Sequence, residues 1–555
     1  MSENLQQLSS RKGLTENLFE KIIQAGGEPV RLKEVAKTFK IGKANVYGAS
    51  TAYDFIQGPN AGKKAYVCNG SSCLCAGKQE FVKQQLQQHL KDDEIGHVSC
   101  IGRCHENLSF QYQGKNYSGK DIDNIKAIID ESAPSQETYT IECLLAKPLL
   151  MESIEQVESY YQLFTQVIQS QNKQSLLEQI VRSGLRGRGG AGFPTGIKWK
   201  ACAAEIAEQK YIVCNADEGD PGAFSDRYLL EHRPHAVLFG MLMAGYLAGA
   251  NWGVLYIRDE YPQSVENTQK AIDEFEKLNL LADLNFQFQF KIIRGAGAYI
   301  CGEETALLRS IEGQRPMVSV RPPFPTVKGL FGKPTIVNNV ETFASIHWIL
   351  AHSAESFAAL GNGRSTGTKL LSMDSCFNRP GIYEIEMGMP LKQMIDIAGG
   401  FSRPLKALHI GGPLGGLVPI EKIEHLTLDF ESFQTQGFLL GHASIIGIPV
   451  EQDLGKYIMH LFDFTEAESC GKCFPCRIGA TRGKEMFRDA ITKENLLDKV
   501  LLDDLLETME KGSLCALGGG VPLPVKNALQ YFFAELTHLF DPQSLKKIQA
   551  LEKSI

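Results

Sequence analysis

At 555 residues the chain predicts about three to five packed units of roughly 100 to 200 residues each, so room for a buried core is not in question. Lys and Arg total 57 against 64 Asp and Glu, a net charge of −7 that offers no basic excess for a phosphate backbone and excludes nucleic acid as an expected partner. Apolar residues at 43 % and charged residues at 22 % exclude a disordered or membrane-dominated chain, while 53 glycines, above the ordinary roughly 7 %, point to close approach of backbone to a ligand.

The amino end, MSENLQQLSSRKGLTENLFEK, has no apolar core of a secretory signal, which predicts a cytoplasmic protein. Helical periodicity (LFEKIIQAG, LKEVAKTF) runs over the first 55 or so residues, and strand character begins after Lys64 with AYVC. Cys68 and Cys73 then form C-x4-C and, after the helix-like KQEFVKQQLQQHLKD and the strand-like HVSC, Cys100 and Cys104 form C-x3-C. Two thiolate pairs on adjacent loops can each hold one iron of a [2Fe-2S] cluster, with zinc as the competing metal. Cys75 is an alternative to Cys73, since in an extended stretch the two share a face. SAPSQETYT, around residues 132 to 140, reads as a linker and closes a first unit over residues 1–135.

From 145 to 355 strands and helices alternate (KYIVCNAD, HAVLFGMLMAGYLAG, WGVLYIRDE, FQFQFKII), the pattern of a parallel sheet covered on both faces. Ala236 to Ile257 carries no charge, yet Gly249, Asn251 and Gly253 divide it, so it predicts a buried helix, a turn and a buried strand rather than a membrane span. SGLRGRGGAGFPTGIKWK, Ser183 to Lys200, gathers Gly184, Gly187, Gly189, Gly190, Gly192 and Gly196 beside Arg186, Arg188 and Lys198. Backbone without Cβ atoms can lie against a phosphate or a flat ring, so a nucleotide or flavin site is expected, a plain surface loop being the alternative. CNADEGDPGAFSDR follows the strand KYIV and puts Asn215, Asp217, Glu218 and Asp220 beyond a strand's carboxyl end, where open α/β sheets bind ligands. A calcium loop is the alternative, although Pro221 interrupts the spacing. GAGAYICGEETALLRS adds Tyr299, Gly302, Glu303 and Glu304, which also suit an ordinary turn and helix cap.

Residues 360–450 carry short strands and many glycines (GIYEIEMG, LKALHIGGPLGG, ASIIGIPV) around the helix-like PLKQMIDIAGG, a small β-rich unit. From 455 to 555 the chain reads as helical. There Cys470, Cys473 and Cys476 form C-x2-C-x2-C, with Cys515 farther on in GSLCALGGG. Three thiolates from one tight turn plus a distant fourth suit a [4Fe-4S] cluster, and zinc sites more often present two C-x2-C pairs. Cys75, Cys143, Cys202, Cys214, Cys301 and Cys376 are left as buried free thiols, and His232, His235 and His409 as structural.

These motifs together resemble, over nearly the whole chain, the NADH-binding flavoprotein subunit of respiratory complex I and its relatives in NAD-reducing hydrogenases and NAD-dependent formate dehydrogenases. GLRGRGGAGFPTG, NADEGDPGAFSDR, GAGAYICGEETAL, PTIVNNVETFA, ESCGKCFPCRIG and SLCALGG match in order, and residues 1 to about 130 look like the [2Fe-2S] subunit of the same systems fused at the amino end. The resemblance implies an α/β, multidomain fold: a thioredoxin-like ferredoxin unit, a Rossmann-like FMN and NADH unit, a ubiquitin-like β-grasp unit and a helical [4Fe-4S] unit. It favours Cys73 over Cys75. It implies FMN held by Gly187, Arg188, Gly189, Gly190, Lys198, Asn215, Asp217, Tyr299, Gly302, Glu303, Asn338, Asn339 and Thr342. NADH would stack over the flavin, with Phe193 and Phe324 around the adenine, and Glu218, Asp220 and Glu304 also at the nucleotide. Glu304 and Asp220 would hold the ribose and repel a 2′-phosphate. Complex I places a second phenylalanine three residues after the lysine, where this chain has Ala201. EGDPG looks more like the hydrogenase and formate dehydrogenase branch, and the additional carboxyl-terminal ferredoxin-like cysteines of electron-bifurcating relatives are missing from this sequence. The implied activity is a diaphorase step, hydride from NADH to FMN and single electrons out through the clusters, without a catalytic acid–base dyad. The implied partner is an iron–sulfur subunit with a hydrogenase or, alternatively, a formate dehydrogenase or complex I module. An electron-transfer scaffold without nucleotide binding is the remote alternative.

Overall fold

The computed structural model describes residues 13–131 and 133–546. Most of the segment read for a leader, and the last residues of the expected carboxyl-terminal unit, lie outside the described residues.

Three short helices open the described chain: Leu18–Ala25, Pro29–Thr38 and Lys43–Ser50. The Asn17 side chain accepts the Glu20 amide at the first helix start, and Gly26, at φ 61°, ends it in the left-handed conformation. Leu18, Phe19 and Ile22 are fully buried, at roughly 1.5–3 kcal/mol each, but not within the amino-terminal unit. They pack with Leu32, Val46 and Tyr53 against Val213, Val254, Ile293 and Val337, residues of the second unit's sheet. The expected single unit over residues 1–135 is therefore two pieces in packing.

The first sheet comprises β1 (Ala65–Cys68), β2 (Ile95–Val98), β3 (Phe110–Tyr112) and β4 (Lys115–Tyr117) in the order β2-β1-β3-β4. β1 and β2 are parallel and the other pairs antiparallel, with a core of its own around Val67, Leu86, Phe110 and Tyr117. The expected linker does more than connect. It runs into β5 (Thr140–Cys143), which pairs in parallel with a strand of the third unit, Gly381↔Thr140 through Glu384↔Cys143.

The second unit is built on β6 (Tyr211–Ala216), β7 (Trp252–Ile257), β8 (Gln289–Arg294) and β9 (Thr335–Asn339), all parallel, in the order β8-β7-β6-β9. Side chains alternate faces along each strand. Val213 meets the amino-terminal helices, whereas Ile212 and Cys214 meet the buried helix Pro234–Ala248 and its neighbours. That helix and β7 are the helix, turn and strand expected of the uncharged run, and no helix among the described residues is long and apolar enough to cross a membrane. Gly240 allows its close packing: a Cβ there would lie 2.1 Å from the Phe343 carbonyl oxygen.

The third unit adds β10 (Thr368–Met373), β11 (Gly381–Glu386), β12 (Leu405–Ile410), β13 (Gly416–Pro419) and β14 (Ser444–Pro449), in a sheet ordered β13-β12-β14-β10-β11-β5. The last unit is helical: Leu454–Glu468, Phe474–Thr492, Lys499–Gly512 and Pro522–Tyr531 pack around Phe462, Phe487, Leu506 and Val525.

Candidate flavin and iron–sulfur sites

Strand order decides where a ligand can enter. β7 and β8 extend to one side of β6 and β9 lies on the other, so the connections diverge between β6 and β9 and leave a crevice at their carboxyl ends. Asn215 and Asp217 emerge there from β6, and Asn338 and Asn339 end β9. The glycine loop closes over this crevice as a tight hairpin: the Gly187 amide donates to the Phe193 carbonyl at 2.8 Å, and Gly190 and Gly192 take φ of 110° and 60°, conformations that favour glycine.

The loop is fastened from below. The Arg188 amide donates to Thr342 Oγ1 at 2.9 Å, while the Arg188 guanidinium is buried and turned to the Thr366 carbonyl of the third unit at 2.6 Å. The Arg188 amide and guanidinium are thus both engaged by other parts of the chain. Lys198, on the helix Thr195–Ala204, donates to the Val337 carbonyl at 2.8 Å and sits 3.7 Å from Glu304, and burial lowers its pKa against that pairing. Asn215 Nδ2 donates to the Gly302 carbonyl at 2.7 Å, and Asn338 Oδ1 accepts Trp199 Nε1–H at 2.9 Å. Asn339 Oδ1 caps the helix Val340–Ala344, and its Nδ2 donates to Asp226 at 2.6 Å. Glu303 caps the helix Glu304–Ile311, accepting the Thr305 and Ala306 amides at 2.9 Å. The Tyr299 hydroxyl donates to Asp220 at 2.6 Å.

One buried acceptor among the predicted flavin residues is left over. Asp217 Oδ2 has no partner, and burial raises its pKa well above the ordinary carboxylate range. An orphan acceptor at the end of β6 fits a hydroxyl or ring N–H of a flavin nucleotide, while the glycine hairpin's backbone and Lys198 suit its phosphate.

Glu218 behaves otherwise than the sequence suggests. Its carboxylate is buried, accepting the Asp226 and Arg227 amides at 3.0 and 3.1 Å, the Ser225 hydroxyl and the Tyr261 hydroxyl at 3.2 Å, so it fastens a helix start and is not free to hold a nucleotide. Glu304 faces the open side but is ion-paired to Arg321 at 2.7 Å. Phe193 and Phe324 are about half exposed, and so are Ile197 and Val327 beside them in sequence. The helices Thr195–Ala204 and Pro325–Lys328 are in contact, so the segments that carry these exposed apolar residues adjoin and can form an apolar shelf. Ala201, one turn beyond Ile197, leaves that shelf smaller there.

Both cysteine quartets converge. The Cys68 thiol touches Cys73 and Cys100, and Cys100 and Cys104 sulfurs lie 3.6 Å apart. Gly102 and Gly222 amides donate to Cys100 and Cys104 at 3.3 Å each, the second from the flavin unit. Cys75 is excluded by local structure: residues Ser71–Ala76 are helical, not extended, so positions two apart point to different sides, and Cys75 enters the core of the helical unit. In the helical unit Cys473 and Cys515 stand at two helix starts, where free amides favour an anionic cluster. The Leu514 amide donates to the Cys473 sulfur at 3.4 Å. Burial pushes the Cys515 thiol up to about 12 and raises that of Cys476, and a bound metal would bring both to thiolate. All fourteen cysteines are free, and both quartets fit iron–sulfur clusters.

Between the three sites lies a cleft lined by Asp54, Ser99, Asp217, Glu260, Tyr299 and Glu468. Glu468 joins them: it accepts the Ser99 hydroxyl at 3.0 Å and the Tyr299 amide at 2.9 Å, two residues before Cys470. Burial raises its carboxyl to about 7. Glu468, Asp226, Arg321 and His442 are functional candidates that sequence reading missed: Glu468 and Asp226 stand at the edges of the cysteine and acidic motifs without being singled out, and Arg321 and His442 lie outside any motif. His235 and His409 are structural as expected, bonded to Glu274 at 2.9 Å and to the Tyr457 hydroxyl at 2.7 Å.

Comparison with known proteins agrees with this geometry. A family model described as the Nuo51 FMN-binding domain matches residues 180–348, one for the NADH-ubiquinone oxidoreductase-F iron-sulfur binding region matches 456–539, and one for a thioredoxin-like [2Fe-2S] ferredoxin matches 28–133. The NADP-reducing hydrogenase subunit HndC of Solidesulfovibrio fructosivorans is 42 % identical over 65 % of this chain and 75 % of its own length. An NADH-quinone oxidoreductase subunit of Rhizobium meliloti is 38 % identical over 65 % of this chain and 87 % of its own. The NAD-reducing hydrogenase HoxS subunit alpha of Cupriavidus necator is 38 % identical over 65 % and 59 %. A crystal structure of an NAD+-reducing [NiFe]-hydrogenase in the H2-reduced state superposes with a TM-score of 0.84 at 27 % identity, covering 95 % of this chain and 92 % of that one. The chain belongs to the family of NADH-oxidising FMN and iron–sulfur flavoprotein subunits shared by complex I and the NAD(P)-reducing hydrogenases, with a thioredoxin-like [2Fe-2S] unit at its amino end.

Proposed function

We propose that the crevice between β6 and β9 holds FMN, that NADH binds over it against the shelf of Phe193, Ile197 and Phe324, and that the two quartets carry electrons to a partner subunit. The observation that carries this is the orphan carboxylate of Asp217 at the crevice, in a cleft also lined by Ser99, next to Cys100, and by Glu468, two residues before Cys470. In this reading the second unit is Rossmann-like and the third a β-grasp. Units run over 57–135, 145–355, 360–450 and 455–555, with residues 13–56 belonging to the second.

When bound, FMN supplies the exchange of a hydride pair for single electrons, and the clusters supply the outlets. The chain's own residues bind and orient. Gly187, Gly189, Gly190, Lys198, Asn338, Asn339 and Thr342 form the phosphate end of the flavin site, and Asn215, Asp217, Tyr299, Gly302 and Glu303 its ring end. Cys68, Cys73, Cys100 and Cys104 hold [2Fe-2S], and Cys470, Cys473, Cys476 and Cys515 hold [4Fe-4S]. Glu304 and Asp220 flank the ribose. The charge opposing a 2′-phosphate is smaller than the sequence suggests, because Glu304 is paired to Arg321 and Asp220 to the Tyr299 hydroxyl.

The match to the hydrogenase chain over 95 % of this one supports a hydrogenase as the partner enzyme, joined through an iron–sulfur subunit. Fourteen free thiols suit a reducing, cytoplasmic setting. Anaerobically purified protein is expected to contain about one FMN and six iron per chain, the sum of one cluster of each type, and its visible spectrum to bleach on adding NADH. Iron without flavin, or no response to NADH, would overturn the reading. Glu304→Ala is expected to raise the KM for NADH about tenfold, the effect of roughly 1.4 kcal/mol of lost hydrogen bonding to a charged group, with flavin content unchanged. Loss of FMN from that variant would move Glu304 to the flavin site.

A further inference from the structure

His442 comes from the third unit, in the turn before β14, yet its ring lies beneath the flavin loop of the second unit. Its Nε2 is 3.4 Å from Asp226 Oδ2 and its Nδ1 3.7 Å from Glu218 Oε1, with all three side chains buried. The other partners of Glu218 are amides and hydroxyls, and among the described residues Asp226 Oδ2 accepts only Asn339 Nδ2–H besides. His442 is thus the cation facing the Asp226 carboxylate and Glu218, whose own carboxyl burial and Asp226 raise to about 7. Burial alone would lower its pKa, but Asp226 and then Glu218 raise it to about 9. Lys369, itself paired to Glu341, opposes this from β10, and the Asp220 carboxylate faces the ring from the loop after β6.

The same residues support the glycine loop. A Cβ on Gly189 would meet Asn339 Cβ at 3.0 Å, and one on Gly190 would lie 3.6–3.8 Å from the Gly441–His442 backbone. Asn339 is in turn held by Asp226. We propose that His442 is a positioning residue for the flavin loop: as an imidazolium it ties the third unit to Asp226 and, through Asp226 and Asn339, fixes the floor on which Gly189 and Gly190 lie. This rests on the reading that the loop binds FMN. Affinity for FMN is then full while His442 is protonated and falls as pH rises through about 9, since the group whose charge is needed loses its proton there.

The test uses the full-length, iron-loaded protein stripped of flavin, with FMN affinity followed by quenching of flavin fluorescence from pH 6 to 10. The wild-type Kd is expected to rise on the order of tenfold across pH 8–10, the equivalent of about one pKa unit of coupling. H442Q is expected to bind on the order of tenfold more weakly at pH 7, with no step near pH 9. H442K, which restores a cation, should recover affinity and move the step upward. D226N, which keeps the shape and removes the paired charge, should also lose the step. A wild-type Kd and pH profile in H442Q would overturn the proposal. So would a stoichiometric metal other than iron that H442Q loses, because Glu218, Asp226 and His442 would then be its ligands. Failure of the wild type to bind FMN at any pH would overturn the flavin reading instead.

Discussion

Cys515→Ala is expected to uncouple the two halves of the reaction. The variant should lose the [4Fe-4S] cluster, falling from about six iron per chain to about two, and its electron delivery to a one-electron acceptor should drop at least about a hundredfold. Flavin reduction by NADH should stay within a few-fold of wild type, because Cys515 stands in the helical unit, at the start of Ala516–Gly520, and meets Tyr299 by packing and Glu303 by charge, with no hydrogen bond to either among the described residues. Iron analysis and rapid mixing with NADH read the two effects separately. Cys75→Ala is the control: its thiol packs in the core of the helical unit, away from the first quartet, so iron content should not change. Equal loss of iron in both variants would contradict the assignment of ligands.

The second large effect concerns stability. Lys369 in β10 and Glu341 in the helix Val340–Ala344 are both almost wholly buried and paired, joining the third unit to the flavin unit. Glu341 also accepts the Leu370 amide at 3.1 Å and lies 4.0 Å from Arg188. Lys369→Met leaves that carboxylate buried without its lysine and is expected to cost about 3–5 kcal/mol. For a unit of about 200 residues this is a fall of roughly 6–20 °C in Tm. The double variant Lys369→Met with Glu341→Leu should recover most of the loss, because two apolar groups then fill the space of an ion pair. If the single variant unfolds at the wild-type temperature, the pair does not hold the units together.

Where local pattern and tertiary role coincide, this sequence is legible. The uncharged run from Ala236 to Ile257 divides into helix and strand at Gly249, because glycine reaches φ 75° there without strain. The cysteine spacings define their quartets because ligands close in sequence must lie on one loop. Cys75 shows the limit: its status turned on whether six residues were extended or helical, and the structure makes them helical. The amino-terminal helices were legible as helices, but not their place on the flavin sheet, since an apolar stripe does not name its partner. SAPSQETYT has a linker's composition, yet Glu137 within it is part-buried and ion-paired to Arg103, His105 and Arg227, and the segment ends in β5 at the third unit's sheet edge. Glu218 stands amid ligand-like neighbours and spends its charge on a helix start. His442 is invisible in sequence because its two carboxylate partners lie over two hundred positions away.

The central claim is that a hydride entering at the β6–β9 crevice leaves as single electrons by way of the quartet of Cys470, Cys473, Cys476 and Cys515. Electron paramagnetic resonance of the anaerobic protein, frozen after mixing with NADH, tests it most directly. Signals of one [2Fe-2S] and one [4Fe-4S] cluster reducible by dithionite, with NADH reducing at least the [4Fe-4S] cluster in the wild type and none in Cys515→Ala, are predicted. A wild-type protein whose clusters appear with dithionite while NADH reduces neither would contradict the account.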